Sequence, residues 1–181
     1  MPDTKDFIPQ RGNYRQLISY QKSECIYDIT FFFAHKYLGK GDRTIDQMVQ
    51  AARSCKQNII EGSAASTTSK ETELKLVNVA RASLQELLAD YEDYLRVRNM
   101  EQWNINSTKF LTARNVCAKH NDSAYYRKAI EIRSDETTAN IAITLIHQTD
   151  TLLGKLIERL KKDFVEQGGI REEMYRARTE W

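Results

Sequence analysis

Proline is almost missing from this chain: 181 residues hold 2, both within the first nine positions, and only 7 glycines. Proline breaks helices and glycine weakens them, so little beyond residue 10 forbids helix. Cysteine is scarce as well. Cys25, Cys55 and Cys117 stand 30 and 62 residues apart, which fits neither a disulfide framework nor a CxxC metal knuckle. They read as reduced thiols, and the expected compartment is the cytoplasm. No run of 18 apolar residues is present, and the opening MPDTKDFIPQRGNYRQ lacks the apolar stretch of a signal peptide, so neither membrane insertion nor export is expected. Charge of one sign is also lacking. With 27 basic and 25 acidic residues the net charge is +2, and attraction to a polyanion would need a local patch.

What is there is helical periodicity in a composition of 41% apolar and 29% charged residues, a length that suits one domain with its own core. The first helix is expected over 14–38, carrying Leu17, Tyr20, Ile26, Tyr27, Phe31 and Tyr37 at three- and four-residue intervals. Gly39-Lys40-Gly41 stops it and Asp42 suits the next N-cap. A second helix over 43–61 places Ile45, Met48, Val49, Ala52, Cys55 and Ile59 on one stripe, with Gly62 as its terminator and 63–67 as a loop. Thr68-Ser69-Lys70-Glu71 reads as a capping box opening a third helix over 69–98, whose stripe includes Leu74, Val77, Ala80, Leu84, Leu88 and Leu95.

Residues 99–134 are less regular, with short helices expected at 106–120 and 124–133, and read as an insertion. The fourth long helix follows over 135–167, with Ala142, Leu145, Leu152, Leu156, Leu160 and Phe164 on its stripe and Asp135 and Glu136 suiting its start. Gly168-Gly169 ends it, leaving 168–181 as a short charged suffix in which Ile170, Met174, Tyr175 and Trp181 are free to dock. The expected fold is therefore all-α: an antiparallel up-down-up-down four-helix bundle with a helical insertion between helices 3 and 4 and a C-terminal suffix.

Three groups of residues stand out. Glu61 falls in the last turn of the second helix, where the macrodipole repels a carboxylate. The N-terminus of the third helix, or an Arg such as Arg81 or Arg53 in this or a neighbouring subunit, would compensate it, with Asn58 one turn earlier joining a polar clamp at the turn between the second and third helices. Phe31-Phe32-Phe33 puts aromatics on more than one face of the first helix, which calls for burial against a second surface such as another subunit. In the insertion, 101–134 carries 6 basic and 3 acidic residues. Lys109, Arg114, Lys119, Arg127, Lys128 and Arg133 alternate with Trp103, Phe110, Tyr125 and Tyr126, the mixture needed for phosphate neutralisation and base stacking. The plainer reading of that block is a solvated helical hairpin whose aromatics plug the bundle end.

Chemistry has no comparable support. A bundle di-iron site uses Glu-x-x-His pairs, and no Glu or Asp lies three residues before His35, His120 or His147. Gly39-Lys40-Gly41 is a turn and not a phosphate loop. No catalytic residue, metal or cofactor is expected.

Gln57-Asn58-Ile59-Ile60-Glu61-Gly62, then Ser69-Lys70-Glu71, then Ala80-Arg81-Ala82-Ser83-Leu84-Gln85-Glu86-Leu87, resemble in order the signature of the bacterial "four helix bundle protein" family. That family is named for reading frames in intervening sequences of 23S ribosomal RNA genes, and it includes the accessory variability determinant of diversity-generating retroelements. The insertion and suffix resemble a longer variant. The resemblance implies a ring-like homo-oligomer, commonly a pentamer, and in the retroelement member a basic surface for nucleic acid and a reverse transcriptase partner. Together these readings give an expectation of a non-enzymatic homo-oligomeric scaffold that binds RNA, DNA or a nucleic-acid-processing protein. A pure protein adaptor and a metal-binding bundle enzyme are the alternatives.

Overall fold

A computed structural model describes residues 13–167 together with Tyr175 and Thr179, whose regular elements are all helices, with no strand among these residues. Apart from those two positions, the expected suffix 168–181 lies outside the described residues. A 3-10 turn at Tyr14–Gln16 leads into α1 (Ile18–Tyr37), followed by α2 (Arg43–Ala65), α3 (Lys70–Val97), α4 (Thr108–Lys119), α5 (Ser123–Glu131) and α6 (Asp135–Gln167). None of the helices is long and apolar enough to cross a membrane, among the described residues.

The helix ends are set by local chemistry. Leu17 is extended, at ψ 123°, and breaks the expected first helix into the 3-10 turn and α1. Gly41, at φ +89°, takes a conformation that side chains resist, and Asp42 then caps α2 by accepting from the Thr44 amide at 2.9 Å. The cap of α3 is Ser69, whose Oγ accepts from the Thr72 amide at 3.2 Å, one residue later than a box opened by Thr68 would place it. At the far end of α3, Asn99 stands at φ 55°. Its amide donates to Arg96 O at 3.2 Å and that of Met100 to Leu95 O at 2.9 Å, the paired bonds of a Schellman terminus.

One expected boundary is corrected. α2 does not stop at Glu61 but continues through Gly62 to Ala65. Gly62 is buried in α2, and a Cβ there would meet Leu76 Cβ and Val77 Cγ2 at 3.6 Å and Glu73 O at 3.7 Å. The glycine lies inside the helix where α2 packs on α3, and it does not end the helix.

Packing follows a closed cycle: α1 lies against α2 and α6, and α3 lies against α2 and α6. The shared core includes Ile26, Phe33, Met48, Leu84, Tyr91 and Leu145, all below 1% exposure. Burying a side chain of this size contributes about 1.5–3 kcal/mol each. The Thr30 and Tyr91 hydroxyls pair at 3.0 Å inside it.

Each helix of the insertion packs on a member of this cycle. α4 packs on α6 and α5 packs on α1, so the insertion lies along the outer side of that pair. α6 is consequently buried at every position from Thr138 to Ile146. A helix of which only one side faced a core would show a stripe instead.

Candidate functional site

The insertion is held by a small number of polar anchors. Asn140, 2% exposed, accepts from the Trp103 amide at 2.8 Å and donates to Glu101 O at 2.8 Å and Glu136 O at 2.9 Å, which uses most of its hydrogen-bonding capacity. Glu136 Oε2 accepts from the Glu101 amide at 3.0 Å, and Tyr94 donates its hydroxyl to Asp135 at 2.8 Å. Burial, and then that carboxylate acceptor, pushes the Tyr94 phenol up to about 12. Ser107 caps α4 by accepting from Phe110 at 3.2 Å, and Asp122 caps α5 by accepting from Ala124 at 3.0 Å.

On the α1 side, Asp28 accepts from the Ser123 hydroxyl, and the Tyr37 hydroxyl donates to Arg133 O at 2.9 Å. Tyr126 is buried and donates to His120 O at 2.9 Å, while Tyr125 stacks on the His120 ring at 3.8 Å between centroids. α5 and the residues after it are thereby tied to α1 through Asp28 and Tyr37.

The six basic residues of the insertion separate into two kinds. Lys109 pairs with Glu101 at 2.6 Å and Arg127 reaches Asp28 at 3.7 Å. Arg114, Lys119, Lys128 and Arg133 are exposed and have no ion pair among the described residues. Of the aromatics interleaved with them, Tyr126 is core, Trp103 packs partly against the core, and Tyr125 is exposed.

The three phenylalanines of α1 also divide. Phe33 is fully buried between Tyr91 and Tyr94, at 5.0 and 4.7 Å between centroids, and cannot belong to an outer surface. Phe32 packs against the core's edge. Phe31 is 48% exposed and stands between Tyr27 and His35 in a ladder of rings along α1.

The expected clamp at the second turn is not assembled. Arg81 turns away from Glu61 and grips Asp150 of α6 through two bonds, Nε–Oδ1 at 2.8 Å and Nη2–Oδ2 at 2.9 Å. Gly154, one turn beyond Asp150, leaves room beside the guanidinium: a Cβ there would lie 3.8 Å from Arg81 Cζ. Asn58 donates to Ser54 O at 2.8 Å within its own helix, and Glu61 is exposed. Arg81 is thus a link between α3 and α6, a two-pronged geometry that arginine alone offers.

Lys22 is the residue that sequence reasoning overlooked. It is 4% exposed, and its ammonium donates to Cys117 O at 2.6 Å in the last turn of α4. A cation at a helix C-terminus is favoured by the macrodipole. Yet it has no ion pair among the described residues, and burial holds its pKa below the ordinary lysine range. A signal did exist: Ser19, Lys22, Ile26, Ile29 and Phe33 recur at three- and four-residue steps and all are buried. A lysine in such a seam costs stability and asks for an explanation.

Lys22 lines a groove of about 680 Å³ between the start of α1, α4 and α6. Its apolar wall comes from Ile18, Ile105, Phe110, Leu111 and Leu152, and Arg114 stands on the same wall. Thr144, His147, Gln148 and Thr151 supply its polar side. None of the described residues lining it is Asp or Glu. A volume of this size and a mostly apolar wall with a few polar groups are usual for a small-molecule site.

The three cysteines are free and buried. Burial pushes the Cys25 and Cys55 thiols up to about 12 and raises that of Cys117, which keeps them protonated and unreactive at neutral pH. No group of three or more His, Cys, Asp or Glu side chains arranged to hold a metal ion occurs among the described residues. No family model, curated protein or solved structure matches this chain.

Proposed function

We propose that α1, α2, α3 and α6 form an antiparallel up-down-up-down four-helix bundle, and that the protein is a non-enzymatic homo-oligomeric scaffold whose insertion engages nucleic acid. The cyclic packing of those four helices and their short first two connections support the bundle. The observation that carries the functional reading is the set of four exposed cations on and beside α4 and α5 that have no ion pair among the described residues: Arg114, Lys119, Lys128 and Arg133. The ladder of half-buried Tyr27 and exposed Phe31 and His35 supports self-association, and the resemblance to the bacterial four helix bundle protein family points the same way. Repetition of a weak patch around a ring raises avidity without a large charge on each chain.

Fluorescence anisotropy with labelled single-stranded RNA and duplex DNA tests the reading. Affinity is expected to fall steeply with salt, and joint replacement of the four cations by Gln is expected to flatten the salt slope by about 3 to 4 on duplex DNA. Replacing Lys109 and Arg127, already paired within the chain, changes it less. Absence of binding to either nucleic acid at low salt ends the nucleic-acid reading. A pure protein adaptor is the second reading, favoured by the 66% and 44% exposure of Ile105 and Leu111.

A further inference from the structure

The groove between α1, α4 and α6 sets Lys22, which the proposed nucleic-acid surface does not use, beside a mostly apolar wall. Its apolar wall is continuous with exposed Ile18, at 49%, Ile105 and Leu111. Its two charged residues, Lys22 and Arg114, are both cations. Lys22 has three N–H donors, and one is spent on Cys117 O. No carboxylate stands on the wall to complete it, and a buried ammonium left in this state is costly unless an anion meets it. Burial lowers the Lys22 pKa, the direction expected of an ammonium whose counter-charge is absent.

A polar side lies next to these cations. The Gln148 Nε2 donates to Arg114 O at 2.9 Å, while its Oε1 is buried with no hydrogen-bond partner. The groove therefore places apolar surface and positive charge side by side. Nucleic acid, with charge spread along its backbone and flat bases, does not match a mostly apolar groove of this size. A small molecule with one anionic head and one aliphatic body does.

We infer that this groove binds a small amphipathic carboxylate, its head against Lys22 and Arg114 and its aliphatic body along Ile18, Phe110, Leu111 and Leu152. Arg114 also belongs to the proposed nucleic-acid surface, so Leu111→Trp, which leaves every cation in place, is the variant that tells the two readings apart.

Calorimetric titration of the full chain with decanoate, kept below its micelle-forming concentration, tests it beside decanol and decyltrimethylammonium. Decanoate is expected to bind with one site per chain, about tenfold or more tighter than decanol, with no measurable binding of the cation. Arg114→Gln is expected to weaken decanoate about tenfold. Leu111→Trp, which fills the wall at a half-exposed position and leaves every cation in place, should abolish decanoate binding while RNA binding and the unfolding midpoint stay unchanged. Amide shifts on titration should centre on Arg114, Thr144 and Gln148. Equal affinity for decanoate and decanol, indifference to Leu111→Trp, or shifts centred elsewhere would each overturn the inference.

Discussion

The two halves of the core cycle are built differently. α2 and α3 pack closely on each other, each with one buried stripe and an outer side left to solvent: α3 buries Val77, Ala80, Leu84 and Leu87 and exposes Asn78, Val79, Gln85 and Glu86 between them. α1 and α6 are wrapped by α5 and α4 on their outer side, and α6 has no exposed position between Thr138 and Ile146. An amphipathic helix needs one partner surface, whereas a helix apolar or small on every side needs two. Here the second surface is a loop excursion of the same chain, and the features of functional interest lie where it meets the core cycle.

The largest effect that separates the two kinds of surface comes from neighbouring phenylalanines. Phe33→Ala is expected to cost about 3–5 kcal/mol in urea unfolding, because its cavity lies between two tyrosines. Phe31→Ala, two residues away and half-exposed, should change stability by less than about 0.5 kcal/mol. Equal losses would show that Phe31 is also buried in the free chain.

Next is the clasp that holds the wrapping. Asn140→Ala strands the Trp103 amide and the Glu101 carbonyl, and about 2 kcal/mol is expected to be lost. Hydrogen exchange should then quicken in α4 and leave α2 and α3 unchanged. Exchange that quickens evenly across all helices would contradict the separation of the two halves.

Smaller effects probe the seam between α3 and α6. Arg81→Met leaves Asp150 partly buried without its partner and should cost about 1 kcal/mol. Gly154→Ala places a methyl group at ordinary contact distance from the same guanidinium and removes a helix-interior glycine. A gain of up to about 1 kcal/mol is expected by thermal unfolding. A loss there would mean that the Arg81–Asp150 pair needs the open space.

The uneven legibility of the sequence has the same origin. Stripes at Met48, Ala52, Cys55 and Ile59 in α2 and at Val77, Ala80, Leu84 and Leu87 in α3 reveal both helices, because one-sided burial leaves a period. Gly62 misleads since a helix-ending glycine and one packed inside a helix look alike until the neighbouring helix is placed. The partner of Arg81 was hidden for a related reason: Glu61 is near in sequence, but Asp150, 69 positions away, meets it in space. Lys22 escaped notice because its covering surface, the last turn of α4, lies 95 positions away. The groove arises only when α4 is laid against α6, and no local pattern announces it.

Self-association is the claim on which the scaffold reading rests, and multi-angle light scattering of the full chain at micromolar concentration tests it most directly. A mass of two or more times 21.0 kDa is expected, and Phe31→Asp is expected to return it to 21.0 kDa. A native mass of 21.0 kDa would contradict the claim.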